Sequence, residues 1–158
     1  MYAVSATTGL RSYVAALLAV SFAVNWVWEV VQMAAYAPAE GRSRAEEFLV
    51  CTLASVGDAA LTLLVFGAAA VVKRPRQWVW DGGWKAYGVA ALAGGALAVL
   101  IERAALAAGY WSYAPGMPRV PVLGVGLLPY AQLTLLVPSS LWAAARLAAR
   151  FSGSSSHV

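Results

Sequence analysis

The sequence predicts an all-α integral membrane protein, a four-helix bundle with both termini cytoplasmic. Three observations carry that expectation. The 158 residues are 61% hydrophobic and only 11% charged, whereas a soluble domain covers its surface with about 25% charged residues. The apolar residues fall into long runs, each near the ~20 residues that cross a bilayer's hydrocarbon core. The lysines and arginines collect in short loops and at the chain ends, where membrane proteins carry the charges that set their orientation.

The elements follow in order. Residues 1–11 make a short, weakly structured start, and residues 1–150 form one transmembrane domain with spans near 12–36, 47–72, 86–109 and 125–148. The first run is too long for a secretory leader, contains Asn25 and Glu29, and is not followed by a small-residue cleavage site, so it reads as a span. A polar loop with Pro38 and Gly41 follows. Glu46 and Glu47 open the second span, where negative charge suits a helix N-terminus. The loop 73–85 holds four basic residues and three tryptophans. Trp78, Trp80 and Trp84 suit the interfacial aromatic belt. In the third span Gly88, Gly95 and Gly109 recur at seven-residue steps with Glu102 in register, a small-residue face that lets another helix approach. Three prolines between residues 110 and 124 restrict φ and predict an ordered loop. Pro129 and Pro138 predict a kink or a break in the fourth span. The tail 151–158 is expected to be disordered.

Orientation follows from a count of basic residues. Arg11, Lys73, Arg74, Arg76, Lys85, Arg146 and Arg150 fall on one side, against Arg42, Arg44 and Arg119 on the other. The richer side is expected to face the cytoplasm, giving a multi-pass protein of the cell inner membrane. The net charge of +4 therefore belongs to topology, and no nucleic-acid partner is expected. Cys51 is the sole cysteine and His157 the sole histidine, which excludes an intrachain disulfide and leaves no Cys/His ligand set. Neither a metal nor a cofactor is expected.

Glu29, Asp58 and Glu102 lie inside apolar spans. An ionisable group at the bilayer centre costs about 2.5–3.5 kcal/mol on insertion scales, so three such acids call for a reason. With a rise of about 1.5 Å per residue, the alternating topology puts all three between the middle and the outer edge of the membrane. Their neighbours are polar at helical spacing. Asn25, Glu29, Gln32 and Tyr36 form one stripe, and Thr52, Ser55, Asp58 and Thr62 form another. Tyr130 and Gln132 reach a similar depth on the fourth span. The candidate catalytic set is Glu29, Asp58 and Glu102. Asn25, Trp26, Trp28, Gln32, Tyr36, Tyr110, Trp111, Tyr113, Tyr130 and Gln132 are the candidate substrate-binding residues. Each has a structural alternative: the acids as snorkelling or helix-bonding groups, the amides as interhelical glue, and the aromatics as belt or packing residues.

The segments NWVWEVVQMAAY (25–36), SVGDAALTLLV (55–65), IERAALAAGYWSY (101–113) and MPRVPVLGVGLLPYAQ (117–132) together resemble a family of small, largely uncharacterised bacterial multi-span membrane proteins. The Asn-x-x-Trp-Glu pattern of Asn25, Trp28 and Glu29 is also similar to a motif of small membrane-bound terpene cyclases that build meroterpenoids and indole-terpenoids. That resemblance implies an intramembrane glutamate, Glu29, acting as proton donor with a second acid. The fungal members have more spans than four, and the second acid has no matching position here. The Pro-x-Glu-type motif of small carotenoid cyclases is absent.

Three function classes follow. The first is a membrane-embedded enzyme using buried carboxylates for acid–base chemistry on a hydrophobic, isoprenoid or lipid-like substrate, with a terpene cyclase or isomerase as its concrete form. In that case Glu29 is the general acid, Asp58 or Glu102 its partner or the final base, and Trp and Tyr faces steady a passing carbocation. The second is a non-catalytic accessory subunit of a larger membrane complex. The third is an ion or small-molecule transporter, since buried carboxylates also line ion pathways. The partners these classes imply are membrane lipid, a hydrophobic small molecule, and either a second copy of the chain or another membrane subunit.

Overall fold

The computed structural model describes residues 6–38, 41–72, 79 and 83–154. Among them are four long helices: α1 (Ala6–Gln32), α2 (Arg44–Val72), α3 (Gly83–Ala108) and α4 (Leu127–Ser154). A 3-10 turn, Met33–Ala35, extends α1. Three stretches are long and apolar enough to cross a membrane: Gly9–Ala35, Arg44–Ala70 and Gly83–Ala108, with mean hydropathies of 1.8, 2.0 and 1.8. The fourth expected span is a helix of 28 residues outside that group. Gln132, Ser139, Ser140 and two prolines dilute its apolar character.

Helix order explains that difference. α1 and α4 form the central pair, α2 flanks α1, α3 flanks α4, and α2 meets α3 and α4 only lightly. α4 therefore presents much of its surface to protein, where polar side chains find partners. The flanking helices turn Leu53, Leu64, Leu92 and Leu100 outward, each more than half exposed. Inside lie small and polar residues such as Ala90, Gly94, Ala98, Asn25, Thr62 and Gln132. Large apolar residues outside, with small and polar residues in part of the interior, suit packing in lipid rather than in water.

The helix ends differ in part from expectation. α2 begins with a capping box that the sequence contains as Ser43-x-x-Glu46. The Ser43 backbone N–H donates to Glu46 Oε2 at 2.7 Å, and the Glu46 N–H donates to Ser43 Oγ at 3.4 Å. Ser43→Ala is expected to cost about 1 kcal/mol, measured as a lowered thermal unfolding midpoint in mild detergent. At the end of α3, Gly109 takes φ 72°. Its N–H donates to Leu106 O at 3.2 Å, and the Tyr110 N–H donates to Ala105 O at 3.0 Å, the paired bonds of a Schellman cap. Gly109 thus ends the helix and makes no helix contact there. Gly88 is exposed with nothing near its Cβ position. The small face is instead Gly94 and Gly95, packed on Leu133, Tyr130 and Thr134 of α4.

α4 runs unbroken through Pro138, so of the expected kink or break, the break is not found. Pro129 sits in the first turn, where a missing N–H costs nothing. The helix also continues to Ser154, into the tail expected to be disordered, while residues 155–158 lie outside the described residues. Trp78, Trp80, Glu40 and Asp81 lie outside them as well.

The bundle has two unlike halves. Near the two chain termini, Tyr13, Leu17, Phe66, Val137 and Leu141 make an apolar core. At the other end, where α1 finishes and α4 starts, buried polar residues gather beneath the loop 110–124. That loop is ordered, as its prolines suggest. Ala37 N–H donates to Ser112 O at 2.9 Å and Ala114 N–H to Ala35 O at 3.0 Å, tying it to the end of α1. Leu127 N–H donates to Pro118 O at 2.7 Å, tying it to the start of α4.

Candidate functional site: two carboxyl sets

The polar stripe of α1 faces α2 and α4. Residues four and three apart share a helix face, so Asn25, Glu29 and Gln32 point the same way, and Gln132 of α4 lies between them and Asp58 of α2. Gln132 Nε2 sits 3.0 Å from Asn25 Oδ1, 2.9 Å from Glu29 Oε1 and 2.8 Å from Asp58 Oδ2. One amide nitrogen therefore ties three helices together. Two carboxyl oxygens bound to the same nitrogen lie within twice a hydrogen-bond length of each other.

The direction of this network is fixed from one end. Trp28 Nε1 is a donor only, and it donates to Gln32 Oε1 at 3.1 Å. That leaves Gln32 Nε2 to donate onward, to Glu29 Oε1 at 3.0 Å and to Gln132 Oε1 at 2.7 Å. Gln132 is oriented in turn, with its oxygen toward Gln32 and its NH₂ toward the acids. An amide carries two N–H donors and here faces three acceptors, so Asn25, Glu29 and Asp58 share them. The network continues deeper. Asn25 Nδ2 donates to Ser21 O at 2.8 Å, and Ser21 Oγ donates to Thr62 Oγ1 at 3.0 Å.

Glu102 belongs to a second set. It is 4% exposed and accepts from Tyr36 OH at 3.3 Å, from Trp111 Nε1 at 3.5 Å and from Tyr113 OH. The Tyr113 oxygen accepts the Gly126 N–H at 2.8 Å. Burial first, and then its bond to Glu102, push the Tyr113 hydroxyl up to about 12, so it remains a donor across the physiological range. Tyr36 and Tyr113 lean together with centroids 5.6 Å apart, and Trp111 meets Tyr36 edge-on at 6.2 Å. Glu102 thus latches α3 to the end of α1 and to the loop.

The three acids fall into two hydrogen-bonded sets, and no hydrogen bond joins the sets among the described residues. Asn25, Trp28, Glu29, Gln32, Asp58 and Gln132 form the first; Tyr36, Glu102, Trp111 and Tyr113 form the second. The other candidates stand apart. Trp26 donates to Thr52 Oγ1 at 3.1 Å and stacks on Phe48, which places it in the α1–α2 contact. Tyr130 packs against Gly95. Tyr110 is 79% exposed. Ser21 was missed, although it lies four residues before Asn25 and extends the same stripe.

Searches against protein-family models, curated proteins and solved structures find no match for this chain.

Proposed function

We propose that the chain is a membrane-embedded enzyme that uses a half-buried carboxyl pair, Glu29 and Asp58, for acid–base chemistry on a hydrophobic substrate of isoprenoid or lipid-like character. One observation carries this reading: Gln132 Nε2 within 3.0 Å of an oxygen from each acid. Two titratable groups held on one amide inside an apolar bundle are suited to exchanging a proton with a bound molecule. Glu29 is assigned as the general acid, because its Asn25-x-x-Trp28-Glu29 setting resembles the terpene cyclase motif. Asp58 is assigned as its partner in preference to Glu102, whose oxygens are occupied by three donors from the loop side.

This reading places four spans in the bilayer with both termini in the cytoplasm. α4 crosses as the sheltered helix, its polar residues turned to α1, α2 and α3. For a bacterial chain the membrane is the inner one.

A second reading, a non-catalytic subunit, draws on the same network from the other side. Every acid oxygen acceptor described above is already met from within the chain, as in a purely structural core.

Glu29→Gln separates the two. The isosteric change keeps the shape and removes the proton. In purified protein that still unfolds cooperatively, turnover of an isoprenoid or lipid-like substrate is expected to fall by about 100-fold or more. Unchanged turnover would remove Glu29 from the chemistry.

A further inference from the structure

Away from both carboxyl sets, a cleft of about 430 Å³ opens on the outer side of α4. Val20 and Val24 of α1, Leu136, Pro138 and Trp142 of α4, and Tyr87 of α3 line it. Its walls are apolar and it opens to the surroundings, as a lipid-facing groove does. Three hydroxyl side chains, Tyr87, Ser139 and Ser140, interrupt it. Ser140 also lines the cleft and is 1% exposed, and its Oγ has no hydrogen-bond partner. Ser139, its neighbour, satisfies its own hydroxyl on Leu135 O at 2.7 Å.

Toward the end of α4 the cleft adjoins a second hollow, sharing Trp142 and Ala143 and carrying Arg146 and Arg150. The Arg146 guanidinium lies over the Trp142 ring at 5.3 Å, so the aromatic wall and the positive charge are one unit. Arg150 is exposed one turn further on. An apolar slot with two arginines at one end matches one molecule in its parts. The slot takes an acyl chain and the arginines meet a phosphate. Arg11 and Lys85 lie toward the same end of the bundle, where basic side chains attract anionic headgroups.

We propose that this groove is a binding site for one anionic phospholipid, seated against α4 with its headgroup on Arg146 and Arg150. The site is independent of the carboxyl chemistry and exists whether or not the protein is an enzyme.

The test is native mass spectrometry of delipidated full-length protein in mild detergent. The probes are phosphatidylglycerol and phosphatidylcholine with identical acyl chains. One phosphatidylglycerol is expected to bind more tightly than phosphatidylcholine. Arg146→Gln with Arg150→Gln is expected to weaken phosphatidylglycerol binding by roughly 20-fold, about fivefold per arginine, and to leave phosphatidylcholine unchanged. Both side chains are exposed, so the double variant keeps its fold. Arg42→Gln with Arg44→Gln removes the same charge from the opposite end and is expected to change nothing. Equal affinity for the two lipids overturns the proposal. So does a double α4 variant that binds like wild type, or an equal loss in the Arg42 and Arg44 control, which reports surface charge alone.

Discussion

Gln132→Leu is expected to destabilise the protein by about 3 kcal/mol, the larger of two effects that test the buried network. The substitution removes four hydrogen-bonding contacts at once: the two N–H groups of Nε2, shared among three acceptors, and the bond accepted by Oε1. A buried polar group left unpaired costs about 1–3 kcal/mol in proteins generally. Single interhelical bonds in membranes average less, about 0.6 kcal/mol, because the unfolded helices find other partners there. Four contacts sharing one side chain therefore sum to a few kcal/mol, seen as a fall of roughly 10 °C in unfolding midpoint. Gln132→Glu is the sharper variant. It keeps the volume but replaces an NH₂ donor with a third acid facing Glu29 and Asp58. Its loss is expected to match or exceed that of Gln132→Leu. A midpoint equal to wild type in both variants would mean that the amide does not bridge the three helices.

Gly94→Ala is the second, with an expected cost of about 2 kcal/mol. A Cβ at position 94 runs into the backbone carbonyl of Leu133, and Val137 Cβ stands 3.4 Å away. Backbone inside a helix does not move aside as a flexible side chain does, so α3 and α4 must separate. Gly88→Ala is the matched control. Nothing lies within 4 Å of its Cβ position, and alanine is the better helix former by about 1 kcal/mol. The two glycine variants are thus expected to shift the unfolding midpoint in opposite directions. A shift of the same sign in both would place the α3–α4 contact elsewhere.

These two experiments fall on opposite sides of what the sequence makes legible. Gln132 stands out from sequence because an amide inside an apolar run is rare, and its depth follows from helical rise. Gly94 does not stand out. The seven-residue series through Gly88 and Gly95 suggests one face, but the buried seam of α3 follows four-residue steps through Ala86, Ala90, Gly94, Ala98 and Glu102. That ridge winds away from the seven-residue series, and it leaves Gly88 exposed. Which ridge packs depends on the partner helix, and the partner's identity is not written in α3.

The sequence by itself determined the helices, the apolar surface and the polar stripes, because each is a matter of local period and of transfer from water. It also placed Glu29, Asp58 and Glu102 in the same half of the bundle, because antiparallel helices of equal length bring matching positions to matching heights. Only the tertiary structure decided how those acids divide. Gln132 gathers Glu29 and Asp58 because α4 packs against α1 and touches α2, while Glu102 takes two donors from a loop that folds back on α1 and a third, Tyr36, from the residue that follows α1. Side-chain bonds between elements distant in the chain have no period and leave no spacing to read, so the division of the acids into a bridged pair and a latch was not legible in the sequence.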